Sequence, residues 1–368
     1  MSESKAFLTE QIITYLGNKR TLLPFIETEI QLIQKELGKE KLVTVDLFSG
    51  SGIVARLLKQ YSETLITNDL EKYNSIINKC YLTNKEDFNK EKYEYYYERL
   101  QERLKNLHPG LITKLYAPAN DNDIQIGERV FYTHENAMII DTIRNFIDEI
   151  EEDMKIYFLA PLIYEASVHT NTSGIFKGFY KDSKTGIGKF GGNGENSLSR
   201  IKGKVVLPKP IFSEYSCKTR IHQENANYLV KKLKDLDVVY IDPPYNQHPY
   251  GSNYFMLNLV IDNIEPKKIS EISGIPDNWN RSDYNKTRKV HTAFNDLIKD
   301  IDSKYIIISY NSEGFVSFNE MTDMLKKYGQ VKTVEIKYNT FKGSRNLKDR
   351  EIYVNEYLFI LKKEGCRD

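Results

Sequence analysis

Short apolar runs bounded by turn-forming residues recur at Leu42–Phe48, Leu65–Asn68, Val238–Ile241, Tyr305–Ser309, Val331–Ile336 and Glu356–Leu361. Each has strand length and is rich in β-branched or aromatic side chains, so each predicts a buried strand. Helical periodicity follows the first run at Gly52–Gln60 and the fourth at Phe318–Tyr328. This alternation predicts an α/β protein on a doubly wound, mostly parallel sheet. The last two runs have no helix between them, which predicts a terminal antiparallel hairpin.

The rhythm stops between about Cys80 and Ser216. That stretch holds a charged, tyrosine-rich helical pattern (Lys90–Leu107), two more at Glu135–Glu152 and Lys155–Ser167, and the glycine-rich basic segment GIGKFGGNGENSLSR. It predicts a mainly helical inserted domain over residues 81–215, with 1–80 and 216–368 forming the sheet domain. A shorter interruption, Gln247–Thr292, carries the sole tryptophan, Trp279. No internal repeat is visible.

Composition narrows the class. The 368 residues are 40% hydrophobic and 28% charged, which excludes disordered and fibrous chains. No run of about eighteen apolar residues occurs, and MSESKAFLTE lacks the basic-then-apolar pattern of a secretory signal, so a cytoplasmic protein with no membrane partner is expected. Cys80, Cys217 and Cys366 are odd in number and widely spaced, which predicts free thiols, and no two histidines share a metal-ligand spacing, so no metal is expected. The net charge of +1 gives no overall case for nucleic acid. A local case exists: Ser173–Pro210 carries Lys177, Lys181, Lys184, Lys189, Arg200, Lys202, Lys204 and Lys209 against only Asp182 and Glu195.

Four short motifs could carry chemistry. Asp46-Leu47-Phe48-Ser49-Gly50-Ser51-Gly52 closes the first strand and opens a helix, with glycines that let backbone approach a ligand. A dinucleotide fingerprint would need a third glycine where Ile53 or Val54 stands. Asp69, at the tip of the second strand, suits the hydroxyls of a ribose and equally a helix cap. In Tyr15-Leu16-Gly17-Asn18-Lys19, Gly17 supplies backbone freedom and Lys19 a cation that could meet a carboxylate-bearing cofactor; a plain exposed loop has the same composition.

The strongest signal is Val238-Val239-Tyr240-Ile241-Asp242-Pro243-Pro244-Tyr245, where two prolines fix a rigid turn directly after a buried strand. An aromatic amino group is a poor nucleophile because its lone pair is delocalised into the ring. Two acceptors on its protons, the Asp242 carboxylate and a carbonyl of Pro243-Pro244, would turn that pair toward a methyl sulfonium. Tyr245 would stack on the base, worth about 1–3 kcal/mol. The plain alternative is a strand stopped by prolines.

In this order the motifs resemble the Dam-like (D12 class) DNA adenine methyltransferases, and more narrowly their FokI-type branch. The narrower match rests on NTSGIFKGFYK (171–181), DPPYNQHPYGSNYF (242–255), SYNSEG (309–314) and NEYLFILKK (355–363). The resemblance implies a seven-stranded Rossmann-like methyltransferase fold, S-adenosylmethionine as cofactor, double-stranded DNA as substrate and N6 of a flipped-out adenine as acceptor. It also implies a restriction–modification context with a cognate endonuclease. Cofactor contacts are implied for Tyr15, Gly17, Asn18 and Lys19, with Lys19 near the methionine carboxylate, and for Asp46, Phe48, Ser49, Gly50 and Gly52 around the methionine. Asp69 is implied at the ribose and Asp242 beside the transferred methyl. Asn225 falls where the family usually has an acidic residue on the cofactor's adenine, and Phe255 where the branch often has histidine.

Extruding the base costs a few kcal/mol and calls for phosphate contacts. Lys177, Lys181, Lys184, Lys189 and Arg200 are the expected grip, with Lys286, Arg288 and Lys289 as a second patch. Solvated loop faces would look the same. Tyr250, Tyr254 and Phe255 form either an aromatic wall for the base or core. Transfer to the amino group of cytosine, whose enzymes usually begin the motif with Ser, and a non-catalytic DNA-binding specificity module are the competing readings.

Overall fold

The computed structural model describes residues 3–192, 195–339 and 353–364. Seven strands form one sheet: β1 (Leu42–Asp46), β2 (Ser62–Asn68), β3 (Lys218–His222), β4 (Leu236–Ile241), β5 (Ser303–Asn311), β6 (Gly329–Asn339) and β7 (Tyr353–Lys363). Their order is β3-β2-β1-β4-β5-β7-β6. β1 to β5 are parallel, and β7 runs antiparallel between β5 and β6. The doubly wound sheet and its terminal hairpin are as the apolar runs predict.

All six residues of β4 are buried because both faces of the sheet are covered. Val238 and Tyr240 pack into the cluster on one face, while Val239 and Ile241 pack into the cluster on the other. The first face is covered by Leu23–Leu37, Ile53–Lys59 and Lys72–Tyr81, the second by Val290–Asp300 and Phe318–Leu325. β3 escaped the sequence reading. It is an edge strand, pairs only with β2, and alternates Lys218 and Arg220 with half-buried residues, so it offers no apolar run.

The helices between β2 and β3 include Lys90–Arg103, His134–Glu149 and Glu152–Val168, each within a few residues of its periodic signal. Their buried Tyr93, Ile143 and Phe158 belong to the same cluster as Leu57 and Ile77 of the sheet's helices. These helices thus pack as a layer continuous with one face of the sheet. Cys80 and Cys217 are free and buried; Cys366 lies outside the described residues. Among the described residues no helix is long and apolar enough to cross a membrane.

From β1 the chain winds to β2 and β3 in one direction, and from β4 to β5 in the other. The carboxyl ends of β1 and β4, paired with Asp46 opposite Tyr240, therefore part their connections and open a crevice. The glycine loop and Asp242–Tyr245 leave these two strand ends.

The segment before the sheet is fixed to it by Arg56, which is 1% exposed. Its guanidinium donates to the carbonyls of Phe7 at 2.7 Å, Glu10 at 2.9 Å and Gln11 at 3.0 Å. Arg56→Met would leave three carbonyls without their donor, so a loss of about 3 kcal/mol in urea unfolding is expected; a change within about 0.5 kcal/mol would show that water replaces the guanidinium at no cost.

Candidate active site

The glycine loop is held by its own backbone. Ser49 N donates to Asn68 O at 2.9 Å, Gly50 N to Asp69 Oδ2 at 2.9 Å, and Gly52 N to Ser49 O at 2.7 Å. Gly50 and Gly52 sit at φ of 49° and 77°, the left-handed region that favours glycine. At Gly52 a Cβ would also lie 2.6 Å from Asn78 Oδ1, while Asn78 Nδ2 donates to Ser49 Oγ at 2.8 Å. Gly52 shapes the loop from outside the pocket.

The loop borders a pocket at the crevice between the carboxyl ends of β1 and β4. Tyr15, Gly17, Asn18 and Lys19 of the first motif line it, as do Asp46, Phe48, Ser49 and Gly50 of the loop. Asp69, Asn225, Asp242, Pro244 and Tyr250 complete the expected residues found there. The sheet's switch point thus collects four motifs spread over more than half the chain.

Two carboxylates face each other across the crevice. Asp46 is 1% exposed and neither of its oxygens has a hydrogen-bond partner among the described residues. Burial, then the charges of Asp242 and Asp69, push its carboxyl well above the usual range. Asp242 retains 20% side-chain exposure, and its Oδ1 lies 3.2 Å from Lys19 Nζ. Burial raises its pKa to about 7, against the lowering pull of Lys19.

Lys19 corrects one expectation. Its ammonium is 2.8 Å from Glu356 Oε1 as well as 3.2 Å from Asp242 Oδ1, so its charge is already shared by two carboxylates rather than kept for a ligand's. Burial acts to lower its pKa, but Asp242 and Glu356 together outweigh this and raise it well above the ordinary value. Glu356 is the counterpart: burial acts to raise it, and Lys19 with the hydrogen bonds from Ser309 and Asn311 brings it below the usual range.

Asp69 is similarly occupied. Its Oδ2 accepts from Gly50 N at 2.9 Å and its Oδ1 from Glu71 N at 3.0 Å, so it acts as a loop brace and turn cap. Glu71, which sequence reasoning missed, lines the same pocket; Asn258 Nδ2 donates to its Oε2 at 2.8 Å, and burial raises its pKa to about 7. Asn225 caps the helix Ala226–Leu229, its Oδ1 accepting from Asn227 N at 2.9 Å, which engages the atom expected to face the cofactor. Glu224 beside it also lines the pocket.

Tyr254, expected in the wall, is fully buried under Tyr15, whose ring stacks on it at 4.8 Å and on Tyr250 at 4.9 Å. Phe255 is core as well, against Phe131. Tyr250 remains at the pocket and donates to Leu16 O at 3.2 Å. Pro243 is buried, and Tyr245, half-buried with its ring edge-on to Tyr310, stands just outside. Asn280, Ser282 and Tyr284 wall the opposite side, and Asn285 Nδ2 ties that segment to Asn246 O at 2.7 Å. Their only sequence signal was the polar interruption around Trp279.

The basic stretch divides. Lys177, Lys181 and Lys184 are exposed, with Lys177 Nζ 3.5 Å from His248 Nδ1 and Lys181 Nζ 4.9 Å from the Phe179 ring centre. Lys189 is half-buried. Arg200 is turned inward to the carbonyls of Val168 and Thr172, and so is withdrawn from the expected phosphate grip. In the second patch Lys286 and Lys289 both pair with Asp283, at 2.7 and 3.3 Å, while Arg288 is exposed. Among the described residues no cluster of three or more His, Cys, Asp or Glu could hold a metal ion.

This sheet order, with a pocket at the switch point bordered by a glycine loop and a proline turn, is the Rossmann-like fold of methyltransferases. The model of the D12 class N6 adenine-specific DNA methyltransferases matches residues 15–324, and the chain belongs to that family. Type II methyltransferase M.NlaIII of Neisseria lactamica is 32% identical over 365 residues, spanning 95% of this chain and 99% of its own length. M.CviAII of Paramecium bursaria Chlorella virus 1 is 28% identical over 95% of this chain and 98% of its own. M.FokI of Planomicrobium okeanokoites is also 28% identical over 95% of this chain, but over only 52% of its own. The chain is thus an adenine-specific DNA methyltransferase, and the cytosine and non-catalytic readings fall away.

One consequence of burying Asp242 is thermodynamic. An unfolded aspartate titrates near about 3.9. The fold holds the Asp242 proton more tightly, so ionising it costs stability progressively as pH rises from about 4 to about 7. The Asp242→Asn protein is expected to melt above wild type near about pH 8 and to lose that margin toward about pH 4; a margin independent of pH would contradict the burial argument.

Proposed function

We propose that the pocket binds S-adenosylmethionine and that Asp242 and a carbonyl of Pro243-Pro244 accept the two amino protons of an adenine swung out of duplex DNA. The observation that carries this reading is the pairing of an unpartnered carboxylate at Asp46 with an open one at Asp242 in the same crevice. Asp46 lacks a counter-cation, and the α-ammonium of a methionine moiety supplies one, so the donor set fits the cofactor. Bound there, the cofactor contributes a methyl group made electrophilic by its sulfonium.

The remaining roles belong to this chain's residues. Phe48, Ser49 and Gly50 enclose the methionine portion. Glu71 lines the pocket beside Asp69, which braces the loop through Gly50 and Glu71 N, and Glu71 accepts from the ribose hydroxyls. Glu224 and Asn225 stand at the cofactor's adenine. At Asp242 the carboxylate accepts one N–H of the target amino group, which localises the nitrogen lone pair along the line of transfer. Tyr245 stacks on the base ring. Lys177, Lys181, Lys184 and Arg288, exposed and facing solvent, grip phosphate around the extruded nucleotide.

The chain acts in the cytoplasm, where duplex DNA and the methyl donor meet. Its relatives' printed names, type II methyltransferases and modification methylases, support a protective role opposite a cognate restriction endonuclease.

Asp242→Ala is expected to abolish transfer of labelled methyl to duplex DNA while the protein stays folded and binds the cofactor; N6-methyladenine forming at the wild-type rate would refute the assignment. Glu71→Gln is expected to weaken S-adenosylmethionine binding by about tenfold or more in calorimetric titration, as loss of a charged hydrogen-bond acceptor does. An unaltered affinity would return the ribose to another residue.

A further inference from the structure

Glu356 lies on β7, opposite Asn311 of β5, far in sequence from every expected site residue. It is 5% exposed, and each of its oxygens is engaged. Oε1 accepts from Lys19 Nζ at 2.8 Å and from Ser309 Oγ at 2.8 Å, while Oε2 accepts from Asn311 Nδ2 at 3.2 Å. Ser309 and Asn311 are two residues apart on β5, so both side chains reach the same face of the sheet and fix the carboxylate from two points.

Lys19 is 5% exposed and lies between that fixed carboxylate and Asp242. Its approach to Glu356 is the closer of the two by 0.4 Å. The Asp242 oxygen nearest Lys19 is Oδ1, at 3.2 Å, and the carboxylate keeps 20% side-chain exposure and lines the pocket. Lys19 thus meets Asp242 from the Oδ1 side, and its hold on Glu356 sets how far the ammonium extends over the carboxylate.

We propose that Glu356 is a positioning residue for methyl transfer: anchored by Ser309 and Asn311, it fixes Lys19 so that the ammonium occupies one oxygen of Asp242 and leaves the other for the adenine amino group. The inference rests on the reading of Asp242 as the amino-proton acceptor. Without Glu356 the buried ammonium has a single carboxylate and closes on it, competing with the substrate for both oxygens. The negative charge of Glu356 also acts to raise the Asp242 pKa. The other charged or titratable groups that face Asp242 are Lys19, Asp46 and Asp69, with the phenols of Tyr240, Tyr245 and Tyr250. Of these only Lys19 contacts Glu356, and its closing on Asp242 lowers the Asp242 pKa as loss of the Glu356 charge does, so both effects move the acid limb to lower pH.

The test is Glu356→Gln in the full chain, followed by single-turnover methylation of duplex DNA across the pH range. Glutamine keeps the size and one acceptor but removes the charge. Expected are unchanged dissociation constants for S-adenosylmethionine and DNA, a transfer rate lower by about a hundredfold, as for a misplaced reacting group, and an acid limb moved to lower pH. Ser309→Ala, which removes one anchor and keeps the charge, is expected to lower the rate less and leave the limb in place. A wild-type rate and limb in Glu356→Gln overturn the proposal. If Glu356→Gln fails to fold, a wild-type rate in both Ser309→Ala and Asn311→Ala overturns it instead. Asp242→Ala run alongside separates the two levels: an inactive Asp242→Ala with a wild-type Glu356→Gln sinks only the positioning role, whereas an active Asp242→Ala sinks the reading beneath it.

Discussion

The organisation of this protein depends on keeping like charges together. Asp46, Asp69, Glu71, Glu224 and Asp242 all line one pocket, and Lys19 is the only Lys or Arg among the lining residues. Burial in this crevice disfavours ionisation of Asp46, Asp69, Glu71 and Asp242, and neighbouring carboxylates add to the effect at Asp46, Glu71 and Asp242, so all four titrate high. The packing on both faces of the sheet must supply the stability that this arrangement costs. In return, the crevice is primed for a cation and for donors such as amino groups and ribose hydroxyls.

Different carboxylates relieve that repulsion differently, and the difference sorts their roles. Asp69 is satisfied by backbone N–H groups and is structural. Glu356 is satisfied by side chains and Lys19. Asp46 has no side-chain hydrogen-bond partner among the described residues, and Asp242 has Lys19 at 3.2 Å. Both of these sit where the strand connections diverge, which supports the proposal that they meet a ligand there.

The sheet was legible because parallel strands buried on both faces need a long apolar run, and β1, β4 and β5 each carry one. β3 was not, since an edge strand with Lys218 and Arg220 follows no such rule. At the site, the glycine loop and Asp242–Tyr245 were readable because backbone geometry demands glycine and proline at particular places. Glu71 and Glu356 were not, because a carboxylate's role is set by which atoms meet it in space. Glu356 did leave a trace, as a lone charge at the head of the apolar run Glu356–Leu361. Asp69, Lys19, Arg200 and Tyr254 show the converse: correct residue types at plausible spacing, already engaged by partners that only the fold reveals.

The position of β7 carries a consequence for how the molecule is made. β6 hydrogen-bonds only to β7, and β7 fills the gap between β6 and β5. A nascent chain leaving the ribosome can join β1 through β5 in turn, but β6 then has no strand to pair with until the one after it arrives. Glu356 travels on that last strand. A chain truncated before β7 would keep the glycine loop and the proline turn but lose Glu356, the nearer of the two carboxylates on Lys19.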